Sequence, residues 1–207
     1  MRSKVGSVFM VLGTLMVLSA LALFLYNQRQ SDMAEEAAME VMPEIVEAIN
    51  VRVREAAAAP AAETLAVAVE EAPVKEMTES KINGYYYIGF VGIPELNLEL
   101  PIMTDWSYKK LNIAPCRYTG NLYSDDLVLM AHNYQNHFGR LSSLSLGDPV
   151  TFTDMDGKTT CFEVVAMDIL DPTAVEEMTA GEYDLTLFTC TYGGASRVTV
   201  RCDRVSQ

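Results

Sequence analysis

Four cysteines and two histidines are the whole stock of thiols and imidazoles in this 207-residue chain. Cys190 closes an apolar run, Leu185-Thr186-Leu187-Phe188-Thr189, just before the turn-like Tyr192-Gly193-Gly194. A thiol at a strand end beside glycines is open to substrate, whereas one in mid-strand is usually buried and inert. Acyl transfer on a cysteine needs a thiolate, an imidazole to hold or deliver a proton, and donors for the oxyanion. His132 directly follows the run Leu127-Val128-Leu129-Met130-Ala131, so a stiff strand holds it, while His137 lies further on in the polar stretch Asn133-Tyr134-Gln135-Asn136. His132 is therefore the better base. Taken singly, a strand-end histidine is more often an ordinary hydrogen-bonded side chain. Arg197 opens the next strand-like run. If the two runs form a hairpin, its cation returns to Cys190, where it lowers the thiol pKa and steadies an oxyanion. Taken alone, it reads as a surface charge.

The elements that must position these groups are short strands. Runs rich in branched and aromatic residues occur at Tyr86 to Ile93, Leu98 to Met103, Leu127 to Ala131, Val150 to Thr153, Thr160 to Met167, Leu185 to Thr189 and Val198 to Cys202. Pro94, Asn97, Asp125-Asp126, Gly147-Asp148-Pro149, Asp156-Gly157 and Gly193-Gly194 punctuate them. Many short strands with almost no long helical period predict an all-β barrel or sandwich over residues 81–207.

Ahead of that domain the chain has a different character. Val5 to Tyr26 is an uninterrupted uncharged run, and at about 1.5 Å per residue such a helix crosses a hydrocarbon core of roughly 30 Å. Arg2 and Lys4 precede it, so the positive-inside preference keeps residues 1–4 cytoplasmic and sends everything after residue 26 outward. A cleavable signal peptide is the alternative, since Ala20-Leu21-Ala22 fits a small-x-small site, but Leu23-Phe24-Leu25 continues the apolar run past it. Residues 27–80 are rich in Ala and Glu, lack Gly and offer few large apolar side chains, which predicts a partly helical tether without a core of its own. Within it Met39, Met42, Val46, Ile49 and Val53 share a helical stripe, interrupted early by Pro43, and residues 56–79 read as flexible.

A net charge of -13 repels phosphate backbones and excludes nucleic acid as a natural partner. None of Cys116, Cys161, Cys190 and Cys202 has the two-residue spacing of a zinc knuckle, so no metal site is expected from them. If Cys190 stays reduced, three thiols remain, and three cannot all pair within one chain.

Thr186-Leu187-Phe188-Thr189-Cys190 resembles the Thr-Leu-x-Thr-Cys signature of sortases, the cysteine transpeptidases that attach proteins to Gram-positive cell walls or join them into pili. Met130-Ala131-His132-Asn133 resembles that family's histidine strand and Arg197-Val198-Thr199-Val200-Arg201 its arginine strand, in the same order and with a similar separation. The likeness covers residues 85–204 and includes Ile93-Pro94, Leu100-Pro101-Ile102 and Phe138-Gly139-Arg140-Leu141. It implies a closed sortase-type β-barrel of about eight strands with the active site at one mouth. It also implies that Cys190 is the nucleophile, His132 the acid and base, and Arg197 the oxyanion and substrate clamp, with Arg201 as the alternative clamp. By the same resemblance Thr189 belongs to the substrate site, and residues 168–184 form a recognition loop in which Ala174, Val175 and Met178 contact a Leu-Pro pair. The implied substrates are surface or pilin proteins with a C-terminal LPxTG-like sorting signal, and the acceptor is an amine on a peptidoglycan precursor or a pilin lysine. Net hydrolysis, or an inactive peptide-binding surface module, are the alternatives. No cofactor is required. Asp168, Asp171, Glu176, Glu177 and Glu182 could hold calcium, as in some sortases, though a solvated acidic loop is commoner. An Asp-Pro-aromatic lid motif is missing ahead of the barrel, Asp105-Trp106 lies too far into the domain to replace it, and the subclass stays open.

Overall fold

The computed structural model describes residues 4–58 and 75–205. Residues 1–3, 206–207 and most of the expected flexible stretch, 59–74, lie outside the described residues. A long helix, α1 (Lys4–Ala58), comes first, and nine strands follow: β1 (Ser80–Ile82), β2 (Tyr85–Ile93), β3 (Leu98–Met103), β4 (Cys116–Thr119), β5 (Leu127–Met130), β6 (Pro149–Asp154), β7 (Thr159–Leu170), β8 (Leu185–Cys190) and β9 (Arg197–Arg204). Two single-turn helices, α2 (Tyr108–Leu111) and α3 (Val175–Met178), interrupt them. The strand order is β1-β2-β3-β4-β5-β8-β9-β7-β6, and β6 pairs back onto β2. Eight strands therefore close into a mixed barrel, with β1 a short addition to β2. The seven strands expected from composition are all present, and β1 and β4 are additional.

Strand alternation decides what faces inward. Leu127, Leu129 and Ala131, then Leu185 and Leu187, then Val200 and Cys202 point into the barrel core with Ile88, Val91, Phe152 and Phe162. The intervening residues Val128 and Met130 of β5 and Phe188 of β8 turn to the outer face and form a separate cluster with Met178 and Tyr118. A one-residue slip in either strand would exchange the two sets, so burial fixes the register.

Helix α1 is continuous through Pro43. Its first part is exposed and is long and apolar enough to cross a membrane, a test that a signal sequence also passes. Its second part is docked on the barrel. Ala34, Ala38, Val41, Ile45 and Ile49 are buried, and the last three share a core with Ile82, Tyr87, Met103 and Met155. Of the stripe expected from sequence only Ile49 is buried; Met39, Val46 and Val53 are exposed. Polar bonds add to the seam: Asn136 Nδ2 donates to Glu35 at 2.6 Å, Asn83 to Glu44 at 3.1 Å, and Arg52 to the Glu79 carbonyl at 3.1 Å. At the β6–β7 turn Gly157 has φ +80°, and a Cβ there would sit 2.6 Å from Val53 Cγ2, so glycine permits both the turn and the approach of the helix.

Candidate active site

Strands β5 and β8 run parallel in a register that sets Met130 opposite Phe188. Each strand end continues two residues further to a reactive side chain, His132 after Met130 and Cys190 after Phe188. The two therefore leave at the same level on the same outer face. Two bonds lock this end: the Ala131 N–H donates to the Phe188 carbonyl at 3.3 Å, and the Thr189 hydroxyl donates to the Ala131 carbonyl at 2.8 Å. Thr189, expected to meet substrate, is largely buried and joins the two strands through its hydroxyl, yet it also borders the cleft that His132 and Cys190 line.

Strand β9 returns antiparallel with Arg197 directly opposite Cys190. The connection is tight. Gly193 and Gly194 take φ +80° and +75°, and Thr191 closes the loop with its N–H to the Ser196 carbonyl at 2.9 Å and its hydroxyl accepting the Ser196 N–H at 3.0 Å. Left-handed backbone at two successive residues is what a Gly-Gly pair supplies. Arg197 Nη1 donates to the Gly194 and Ser196 carbonyls at 3.1 Å, which holds the partly buried guanidinium at the turn. Arg201, on the same face of β9, is committed elsewhere. It is buried and donates to the carbonyls of Met178 (3.0 Å) and Glu177 (2.7 Å) and to the Thr186 hydroxyl (3.1 Å), so it fastens α3 to the barrel.

His132, Cys190 and Arg197 line one cleft of about 210 Å³. Contrary to a site in the barrel mouth, this cleft lies on the outer face of β5, β8 and β9, because strand alternation sends these three residues outward. Its roof is the segment after β7, with Ala174 and Val175 in the wall. Met178 lies at its floor, buried against Val128 and Phe188, and its sulfur accepts the Thr199 hydroxyl at 3.7 Å. The opposite wall was not foreseen. Trp106, Tyr118 and Phe188 form a ladder of rings, with centroids 6.0 Å apart for the first pair and 5.3 Å for the second. Phe188 and Met130 were detectable from strand parity, two residues before Cys190 and His132. Trp106 arrives on a loop, and its only sequence signal is that the chain has one tryptophan.

Burial shapes the titrating groups. His132 is held below its ordinary 6.5 by desolvation, so the imidazole is mostly neutral at pH 7 and able to accept a proton. The Cys116 and Cys202 thiols are buried and desolvation pushes both up to about 12, which makes them poor nucleophiles. The acids of the roof do not converge. Asp168 meets Arg201 at 3.5 Å, Asp171 accepts the Thr173 N–H and hydroxyl, and Glu176 and Glu177 are exposed on α3. Among the described residues no three His, Cys, Asp or Glu side chains are grouped to hold a metal.

His137 is fully buried near Ala34 of α1, and neither ring nitrogen meets a hydrogen-bond partner among the described residues. Burial lowers its pKa from 6.5 to about 4; the nearby Ala34 backbone opposes this, and His132 adds to it. Because the unfolded chain binds this proton and the folded one does not, stability is full above pH 6.5 and falls as the pH drops toward 4. The loss is on the order of 3 kcal/mol. His137→Phe removes the titration, so the difference in unfolding free energy between variant and wild type should grow across that window in denaturant melts. A constant difference would rule out the buried neutral histidine.

The family model described as the sortase domain matches residues 91–205. Sortase C1 from Streptococcus suis is similar at 26% identity, with a TM-score of 0.51 over 58% of this chain and 74% of that one. Likeness of fold extends to Streptococcus pneumoniae sortase C, at 21% identity and TM-score 0.55 over 83% of this chain and 97% of that one. It extends also to Corynebacterium diphtheriae sortase A, at 20% and 0.53 over 90% and 96%. No curated protein matches the chain.

Proposed function

Since the chain belongs to the sortase family of cysteine transpeptidases, we propose that it cleaves an LPxTG-like sorting signal through a thioacyl intermediate on Cys190 and passes the peptide to an amine. The observation that carries this reading is the convergence of Cys190, His132 and Arg197 on one cleft, enforced by the β5–β8 and β8–β9 registers. His132, neutral at rest, takes the thiol proton, and the Cys190 sulfur attacks the Thr-Gly carbonyl. Negative charge then develops on the carbonyl oxygen beside the Arg197 guanidinium. The C–N bond breaks as the His132 imidazolium protonates the departing glycine amine, leaving the thioester. The Leu-Pro pair fits the apolar walls of Ala174, Val175 and the Trp106–Tyr118 ladder, with Met178 beneath. We assign the exposed first part of α1 as a retained membrane anchor with residues 1–4 cytoplasmic and the barrel outside. Burial of Cys116 and Cys202 keeps both thiols from competing with Cys190 in an oxidising milieu.

The partners are surface or pilin proteins bearing sorting signals, and an amine acceptor such as a peptidoglycan precursor. Mass spectrometry of the products from a sorting peptide, with and without added amines, tests the transfer. A joined peptide is expected. Free acid as the sole product across varied amines would replace transpeptidation with hydrolysis.

A further inference from the structure

Helix α1 passes without a break from its apolar run into the segment docked on the barrel, so no linker separates a membrane span from the folded domain. The helix therefore fixes which end of the barrel faces a bilayer. Phe24 and Tyr26, the last rings of the apolar run, line one hollow of about 540 Å³ together with Asn112, Tyr134, Tyr192 and Gly193. Burial raises the Tyr134 phenol above its ordinary pKa, and nearby Tyr26 adds to the shift. The loops bearing these residues thus lie at the level where the apolar run ends. The opposite end of the barrel is remote. Val53 of α1 meets Gly157 in the β6–β7 turn, and at about 1.5 Å per residue that turn lies roughly 40 Å from Tyr26 along the helix.

The near end has the chemistry of a lipid–water boundary. Tyr192 in the β8–β9 turn and Tyr108 at the start of α2 are 80% and 76% exposed, the most exposed aromatic side chains of the barrel among the described residues. Asn112, which caps α2 one turn after Tyr108, accepts the Tyr134 hydroxyl at 3.2 Å and so ties α2 to this end. No charged side chain lines the hollow. One exposed ring is ordinary, but phenols gathered at the end of an apolar helix match the aromatic belts of membrane interfaces, where the ring meets lipid and the hydroxyl meets water.

We propose that this face of the barrel docks on the outer leaflet of the bilayer, with Tyr108 and Tyr192 seated among the lipid headgroups. The inference rests on the reading of α1 as a retained anchor. Tyr108 also lines the catalytic cleft, so the cleft opens beside the leaflet and a sorting peptide reaches Cys190 along the membrane surface. Rings rather than charges make the contact. Lys110 of α2 is paired with Asp105, and the chain as a whole carries a net charge of -13, which disfavours attraction to anionic lipid.

The test uses the full-length chain with Trp106, its only tryptophan, changed to phenylalanine, in nanodiscs of neutral phosphatidylcholine doped with a nitroxide-headgroup phosphatidylcholine. Tyr108→Trp and Tyr192→Trp each supply a fluorescent reporter, and Lys158→Trp, exposed beside Gly157, is the control at the remote end. Both reporters should lose most of their emission relative to nitroxide-free discs, at low and at high salt, while the control keeps its own. Either reporter left unquenched in chains that co-elute with the discs overturns the docking and leaves the anchor standing. Chains that elute free of the discs overturn anchor and docking together. Quenching that needs anionic lipid and disappears at high salt overturns docking by the rings.

Discussion

Replacing Cys190 with alanine is expected to reduce turnover of an LPxTG-type peptide to background, a loss on the order of 10⁴-fold or more. The reason is covalent. Alanine leaves the cleft, its apolar walls and the His132–Arg197 pair in place but removes the one thiol among the described cleft-lining residues. Cys161 supplies the matched control, since β7 carries it opposite Thr151 and outside the cleft lining. Cys161→Ala should keep most of the activity. Continuous fluorogenic assays on both variants, with thermal melts to confirm folding, give the comparison. Full activity in Cys190→Ala would remove the nucleophile assignment.

The two arginines of β9 should fail in different ways. Arg197 opposes Cys190 at the cleft, held by carbonyls of a surface turn. Arg197→Ala should cost about 10² to 10³ in kcat/KM, the usual effect of losing one oxyanion donor, with little change in melting temperature. Arg201 does not line the cleft; it bonds the carbonyls of Met178, whose side chain is the cleft floor, and of Glu177, and the Thr186 hydroxyl. Its ion pair with the half-exposed Asp168 adds little. Arg201→Ala should destabilise the fold by on the order of 3 kcal/mol because it strands buried acceptors. Denaturant melts and steady-state kinetics on both variants separate the roles. A stable but inactive Arg201→Ala alongside a fully active Arg197→Ala would reverse them.

The choice between these arginines illustrates what the sequence could carry. Both lie on one face of β9, so alternation cannot separate them; only the register with β8, which places Cys190 opposite Arg197 and Thr186 opposite Arg201, does so. The signature residues and the strands that bear them were legible because burial on one face writes a period of two into the sequence. Strand β4 was not, since four residues between Pro115 and Gly120 are too few to show alternation. The docked face of α1 was misjudged for a different reason. Close approach of a helix to a barrel selects small residues, and Ala34 and Ala38 give almost no hydrophobic signal beside Met39 and Val46, which stay in solvent. Val41, Ile45 and Ile49 of this segment instead share a core with Ile82, Tyr87, Met103 and Met155 of the barrel. Trp106 reaches the cleft from a loop and has no period to betray it.

The most direct test of the central claim is intact-mass and peptide-map spectrometry of the wild-type chain, quenched in acid during turnover of a sorting peptide. The account predicts a thioester adduct of the peptide up to its threonine, on Cys190 alone, that disappears when an acceptor amine is added before the quench. Turnover with no adduct, or an adduct mapped to another residue, would contradict it.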